Sequence, residues 1–460
     1  DVNGQERSSY FIGESVYVKV VDEDENVDSA VKETVTVTVQ NAGTNDVEEV
    51  TLEETTVSSG AFMNKGSTKP NAPLPSIRGV SGNPDNFLLE TSSTGDVVTV
   101  QYVDDDDSSD EADDSASFGS LSLRVVASVS GPIVAGAPFN LTVTAVQGVG
   151  QTAQIATNYQ GTATLTLDYV SPTSGTKTLL PAQAALSSGM AVVSVSYADA
   201  GNIKIKAVDQ SDSALQGESS ELAFIPASFE VTLASSMEQV NREFNMTVTA
   251  KNLSGDTTPN YAGTVNLSAV PENSGISAGA LFIPSVTSFS QGVATVSNRY
   301  DSWGEVHFEA TDSVYSNAEG QSTSVNFIPK KLDVSLSPPP GSRAADNLYT
   351  YYNGESFTVT VKALDYFDQV VENYGGAVRI NHATSLTIPD EYQFLSSGGG
   401  VHSFNVKADH DEAPFTIEAI DGEVNTVTGT SSPSAEVLTA QVIVESTYGG
   451  TGQPVSVTVR

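Results

Sequence analysis

A chain of 460 residues with no cysteine, carrying 57 acidic against 20 basic side chains for a formal net charge of −37, rules out several classes of protein at once. Disulfide frameworks, thiolate metal sites and haem attachment all need cysteine, while so negative a field repels nucleic acid and anionic lipid, draws cations and keeps the chain soluble in salty water. No apolar run approaches the roughly 18 residues of a membrane span, and the chain opens on Asp1 with neither an initiator methionine nor a signal-type segment, as expected of a processed chain or a piece of a longer one.

Valine, threonine and serine dominate, aromatic residues are sparse, and long amphipathic helical periods are missing, a turn or two around residues 182–186 apart. That composition predicts an all-β protein. At roughly 100–200 residues per domain the length allows three to five units. One stretch counts them. Gly354-Glu355-Ser356-Phe357-Thr358-Val359-Thr360-Val361 alternates apolar and polar side chains as a half-buried strand does, and its start recurs at Gly13, Gly136, Asn241 and Gly452. Five starts imply five units, the last cut short.

The first unit, residues 1–119, holds 25 acidic and 6 basic residues. Strands are predicted at 16–21, 34–39, 49–53 and 97–103. Residues 64–86, with Pro70, Pro73, Pro75 and Pro84, are too rich in proline and glycine for a central strand and read as a long loop. The acidic run from Asp104 to Asp114 reads as a junction, with its second half a flexible, self-repelling linker.

The second unit (120–226), the third (227–330) and the fourth (331–434) repeat one order of signals. Asn158-Tyr159, Asn260-Tyr261 and Asn373-Tyr374 enter a strand, and a later strand closes on Ala207-Val208-Asp209, Ala310-Thr311-Asp312 and Ala419-Ile420-Asp421. The tyrosines lie 102 and 113 residues apart, the spacing of a tandem array. Phe224-Ile225-Pro226 and Phe327-Ile328-Pro329 close two of the units, where proline ends strand pairing and stiffens the hinge. A fifth unit, 435–460, contributes about two strands, too few for a core of its own, so residues beyond it or another chain must complete it.

The order Gly-x-x-Phe, Asn-Tyr-x-Gly, Gly-x-Val-x-Phe-x-Ala-x-Asp resembles the immunoglobulin-like repeats of prokaryotic surface proteins over residues 120–434. The first unit, with Val20-Val21-Asp22-Glu23-Asp24-Glu25-Asn26 and Tyr102-Val103-Asp104-Asp105-Asp106, resembles an acidic module of archaeal and bacterial S-layer-type proteins. The resemblance implies tandem immunoglobulin-like β-sandwiches, an extracellular location and calcium binding.

The residues themselves offer one candidate site. Asp22, Asp24, Asn26 and Asp28 alternate, with Glu33 twelfth in the series, echoing the oxygen-ligand spacing of a calcium loop. Val27 stands where such a loop needs glycine, and strand follows rather than helix, which argues against an EF-hand. Crowded carboxylates repel unless solvated or neutralised; a bound hard cation and a solvated acidic loop are the two readings. Asp104, Asp105 and Asp106 are expected to join this site or form a second one at the hinge.

Asp209, Asp312 and Asp421 read as turn caps, and Tyr159, Tyr261 and Tyr374 as structural rather than sugar-binding aromatics. Trp303, in a turn, is the one aromatic singled out for ligand contact. Sequons at Asn140, Asn245, Asn252 and Asn266 permit glycans. No nucleophile elbow, zinc-protease helix or phosphate loop appears, and the four histidines read as surface or satisfied core groups, so no catalysis is expected.

The function expected is therefore structural: a surface protein, foremost an S-layer component stiffened by divalent cations and partnered by copies of itself. A filament subunit joined by strand donation, an adhesin or carbohydrate-binding stalk, and an appended region of an exoenzyme are the alternatives.

Overall fold

The computed structural model describes residues 1–460 apart from 80, 149–152, 274–275, 346, 441, 445–456 and 460. Among the described residues every regular element except one short 3-10 turn is a strand. The chain divides into two compact units, one of Asp1–Pro226 with Asn252–Asn260, the other of Ala227–Lys251 with Tyr261–Arg460. Each unit contains two immunoglobulin-like sandwiches in tandem. No helix is long and apolar enough to cross a membrane.

The first sandwich comprises ten strands: β1 Ser9–Tyr10, β2 Ser15–Val16, β3 Lys19–Val21, β4 Thr34–Asn41, β5 Asp46–Glu54, β6 Ala61–Met63, β7 Leu74–Arg78, β8 Leu89–Thr91, β9 Val97–Val103 and β10 Glu111–Phe118. Seven form a sheet in the order β1-β10-β9-β4-β5-β6-β3, and β2-β7-β8 form the facing one. Alternation makes the core: Val35, Val37 and Val39 of β4 and Val50 and Leu52 of β5 turn inward while the threonines and glutamates between them largely face out.

Two expectations for this module are corrected here. The proline-rich stretch contains β7, the middle strand of the small sheet. It tolerates Pro75 because it changes partners there: Leu74 and Pro75 pair with β2, and Ser76–Arg78 pair with β8. The acidic run is not a linker. Residues 104–110 turn a hairpin, and β10 pairs antiparallel with β9 from Glu111↔Val103 to Ser117↔Val97. Its charge sits on a strand near the sheet edge, where exposed acids oppose unwanted pairing.

The second sandwich faces Leu121–Ala127, Phe139–Gln147 and Met190–Tyr197 against Gly161–Ser171, Gly201–Asp209 and Leu222–Ile225. The stretch around 182–186, expected as helical turns, is the strand Gln183–Leu186, pairing with Gly161–Thr164. The buried apolar side chains of the first two sandwiches form one continuous cluster. The third and fourth sandwiches repeat the plan, with Phe244–Lys251 and Ser356–Leu364 in the place of Phe139–Gln147. Ser434–Leu438 still belongs to the fourth sandwich, since it pairs parallel with Leu348–Tyr352. Beyond it Val442–Val444 and Val457–Val459 form an antiparallel pair.

One polar pair recurs inside the second, third and fourth sandwiches. The buried hydroxyls of Tyr159, Tyr261 and Tyr374 donate to Asp209, Asp312 (2.5 Å) and Asp421 (2.6 Å). The other carboxylate oxygen of Asp312 accepts the N–H groups of Val314 and Tyr315, as a turn cap does. Asp209 and Asp421 cap their turns in the same way. Tyrosine thus reaches across the sandwich to hold the turn that follows the penultimate strand. Tyr261→Phe leaves that buried acceptor one donor short and is expected to cost about 1–3 kcal/mol, read as a lowered midpoint of thermal unfolding in the second unit, with the first unit unchanged.

Candidate functional site

The recurrent start at Gly13, Gly136 and Asn241 is a tight turn with positive φ (95°, 87° and 63°). Glycine or asparagine is required there because other side chains clash in the left-handed region. The turn leaves the preceding residue, Ile12, Ala135 or Val240, with main-chain groups that its own sheet does not use.

Those groups are claimed by the residues that follow the long strand of the next module. In the first unit, Gln147 Oε1 accepts the Ile12 N–H at 2.8 Å, and Gln147 Nε2 donates to the Ile12 carbonyl at 3.3 Å. Again in the first unit, the Leu253 N–H donates to the Ala135 carbonyl at 2.9 Å, while Asn252 Nδ2 donates to the Ala198 carbonyl at 3.1 Å. In the second unit, the Tyr366 N–H donates to the Val240 carbonyl at 3.1 Å, and Asn241 Nδ2 donates to Asp365 Oδ2 at 2.6 Å. Gln147, Asn252 and Asp365 each stand two residues after a strand alanine, Ala145, Ala250 and Ala363. The Gln147 side chain makes the bond to Ile12, whereas the main-chain N–H groups of Leu253 and Tyr366, one repeat position later, make the bonds to Ala135 and Val240, with Asn252 and Asp365 beside them bonded to Ala198 and Asn241.

The asparagine of each Asn-Tyr pair adds a second tie. Asn158 Nδ2 donates to the Gly13 carbonyl at 3.2 Å. A Cβ on Gly13 would lie 2.0 Å from that amide nitrogen, so glycine is needed for the approach as well as for the turn. The Asn260 N–H donates to Asp199 Oδ1 at 2.9 Å. Asn373 bridges Trp303, accepting its N–H at 2.9 Å and donating to its carbonyl at 3.0 Å. Trp303 also meets the Tyr374 ring edge to face at 5.5 Å, so the aromatic singled out for ligand contact is engaged with the next module.

Between the first and second sandwiches lies an ion pair as well. Arg78 donates to Asp209 Oδ1 at 2.7 Å, stands 3.6 Å from Asp212, and places its guanidinium 5.3 Å from the Tyr159 ring centre. The Ser93 hydroxyl donates to Asp212. Burial alone would raise the Asp209 carboxyl, yet the Tyr159 hydroxyl, the Ser211 N–H and Arg78 together hold it below the ordinary carboxylate value.

The acidic residues form two clusters, both within the first sandwich. In one, carboxylate oxygens of Asp22, Asp24, Asp104 and Asp110 all lie within 4.8 Å of one another. Asp22 and Asp104 are buried, Asp24 and Asp110 exposed. Tyr102 donates its hydroxyl to Asp22 at 2.8 Å, and Asp104 Oδ1 accepts the N–H groups of Asp106 and Asp107 at 2.6 and 2.9 Å. The neighbouring Asp24 carboxyl lowers Asp22, and Asp22 in turn raises Asp24; Glu25 is raised by burial and by Asp104. Four hard oxygen donors from two loops, strained by mutual repulsion, fit a divalent cation of the calcium type.

The other expected ligands are placed elsewhere. Asn26 donates to the Ser58 hydroxyl at 3.4 Å, Asp28 caps the Ala30 N–H at 3.0 Å, Glu33 accepts the Asp28 N–H at 2.5 Å, and Asp105 and Asp106 are exposed in the hairpin turn. Asp110, read from sequence as linker, is the member that reasoning missed; the hairpin returns it to Asp104, whose N–H donates to the Asp110 carbonyl at 3.0 Å. Of the sequon asparagines, Asn140, Asn245 and Asn266 occupy exposed strand positions, whereas Asn252 is buried and hydrogen-bonded at both ends of its amide.

The second cluster left no mark in the sequence reading. Asp46, Glu48 and Glu90 are all buried, and Asp46 Oδ2 accepts the Glu90 N–H at 2.9 Å while Oδ1 has no partner. Burial, with the Glu90 and Glu48 carboxylates adding to it, pushes Asp46 up to about 6.

No family model and no curated protein matches this chain. Among solved structures it is similar to a tetra-tandem repeat from the extending region of a large adhesion protein, at 14% identity and a TM-score of 0.39, over 92% of this chain and 100% of that one. It is also similar to the Escherichia coli adhesin FdeC, at 14% identity and a TM-score of 0.28, over 68% of this chain and 96% of that one. Invasin, a bacterial integrin-binding protein, matches at 10% identity and a TM-score of 0.26, over 93% of this chain and 82% of that one.

A carboxyl whose folded value is raised binds its proton more tightly in the native state, so its contribution to stability is present at low pH and is lost as pH rises from its unfolded value near 4 toward its folded value. For Asp46 that window is about pH 4 to 6. The first sandwich is therefore expected to unfold at higher temperature at pH 5 than at pH 7, and Asp46→Asn to flatten that dependence, as followed by calorimetry.

Proposed function

We propose that this chain is a spacer from a cell-surface adhesin, a non-catalytic tandem array of sandwiches that presents a binding element away from the cell. The observation that carries the reading is the repeated contact at Ile12, Ala135 and Val240. A spacer needs contacts that recur along the repeats, and hydrogen bonds at these three matching positions recur in both units. The lack of cysteine and the high negative charge suit an extracellular array that is soluble without disulfides.

In this reading, calcium or another hard divalent cation binds Asp22, Asp24, Asp104 and Asp110 and ties the loop after β3 to the β9–β10 hairpin. That stiffens the first module internally. A lattice component of S-layer type and a filament joined by strand donation are the competing structural readings.

Electron microscopy of the purified chain in calcium and in EDTA separates them. Isolated, unassembled particles are expected in both conditions. An ordered sheet favours the lattice, and a regular polymer the filament. Calcium is further expected to raise the unfolding temperature of the first sandwich, with Asp104→Asn and Asp22→Asn abolishing the rise. An equal rise in these variants refutes the cation site.

A further inference from the structure

The first sandwich has a groove that its own strands do not close. The seven-stranded sheet begins at β1-β10 and ends at β3. At one end, β1 pairs with β10 only at Ser117 and Phe118, so among the described residues the outer edge of Glu111–Ala116 has no strand beside it. At the other end, β3 pairs with β6 alone. Both bare edges line a groove of about 500 Å³, and at one end they converge on the cluster of Asp22, Asp24, Asp104 and Asp110.

Main-chain direction along both edges follows from bonds already made. The Ser117 N–H donates to the Ser8 carbonyl, away from β9. By strand alternation the N–H and C=O of Ser115, Asp113 and Glu111 face the same way, into the groove. The Asp22 N–H donates to Gly60 on the β6 side, so Val21 and Lys19 present their main chain to the groove from opposite. The Ser115 N–H is occupied only by the carboxylate of its neighbour Asp114, at 2.7 Å.

The lining between the edges is mixed: the half-buried Val20 and Val100 lie among charged and polar side chains such as Arg7, Lys19 and Asp114, above the buried Met63, Val98 and Tyr102. Val21, at the bare edge, is 64% exposed. The row of β10 that lies beside these residues is Ala112, Asp114 and Ala116, paired with Tyr102, Val100 and Val98. Two of the three are small, and the third, opposite the half-buried Val100, is an acid.

We propose that this groove receives an extended cationic peptide segment, alternating apolar with Lys or Arg, as an added strand between β10 and β3. The bare stretch Glu111–Ala116 is about 20 Å long, the reach of a six-residue strand. Main-chain pairing to both edges would supply affinity, and alternate side chains specificity. Apolar side chains of the guest cover Val20 and Val100, and its cations meet Asp114 and the acidic cluster. Charge selects the guest: a second copy of a chain carrying −37 is repelled, whereas a basic strand is steered in. This inference stands apart from the spacer reading, since it concerns one module and not the array.

The test uses the full chain in EDTA, so that no cation competes, and a fluorescein-labelled peptide, Lys-Val-Lys-Val-Thr-Val-Lys, followed by anisotropy. Expected results are saturable binding, and an affinity at least about tenfold weaker in Asp113→Pro, which deletes a groove-facing N–H without touching the β9 ladder. Asp114→Lys, which alters no main-chain group, is expected to weaken binding as much or more. Hydrogen exchange of the native chain should slow at Val21, Asp113 and Ser115 when the peptide is present. Equal binding of a scrambled peptide of the same charge with a central proline would mean adsorption only and overturn the proposal. So would unchanged affinity in both variants, the absence of saturable binding, or self-association of the chain through this edge.

Discussion

The main-chain groups presented one residue before each left-handed turn, at Ile12, Ala135 and Val240, are what the array depends on. Between the first two sandwiches a continuous apolar cluster and directional hydrogen bonds to main chain act together. Hydrogen bonds to main chain are directional, and a partner that leaves a backbone group unsatisfied in a closed contact forfeits about 1–3 kcal/mol. Within each unit the bond comes from the same region of the repeat, by the Gln147 side chain at Ile12 and by the main-chain N–H of Leu253 and Tyr366 at Ala135 and Val240. The positive φ at Gly13, Gly136 and Asn241 is the means: it turns the chain sharply enough that the carbonyl stands clear of its own sheet.

Charge has a different place from the one its distribution along the chain suggests. The acidic run is closed into a hairpin, and its carboxylates meet Asp22 and Asp24 within one module. Where the first two sandwiches adjoin, neutral amides and one largely buried ion pair, Arg78 with Asp209, make the contact. That pair is one-sided: Asp209 is also held by Tyr159 and by the turn N–H groups, so the residue that organises the interior of the second sandwich also receives the first. Core order and junction order are thereby coupled. The continuous apolar cluster running through both sandwiches is the packing counterpart of that coupling.

Much of the fold was legible because the two-residue period is a direct record of burial. Phe357, Val359 and Val361 alternate in the sequence and lie buried in the structure, and the spacing of the tyrosines counted the modules. The aspartates expected as turn caps do cap turns, but their bond to the tyrosines, some fifty residues away in sequence, has no local signal. Charge misled at Glu111–Phe118, where exposed acids on a strand near the sheet edge look like a linker. Proline misled at Leu74–Arg78, where a change of partner accommodates Pro75. For the acidic site, Asp22, Asp24 and Asp104 were found by composition; Asp110 required the hairpin, and Asn26, Asp28 and Glu33 are spent on local turns. The junction residues Gln147, Asn252 and Asp365 share a register that alignment of the repeats reveals only once a contact gives the position meaning.

The absence of native cysteine allows a direct test of whether the contact at Ile12 and Arg78 sets the angle between adjacent modules. Spin labels attached at Val57→Cys and Val192→Cys, both on exposed residues of the first unit, report the distance between its first and second sandwiches by double electron–electron resonance. A single narrow distance distribution is expected in the otherwise native chain, and a broad one when Gln147→Ala and Arg78→Ala are combined. A broad distribution in the native background, or an unchanged narrow one after both substitutions, would contradict the claim that these hydrogen bonds hold the modules in register.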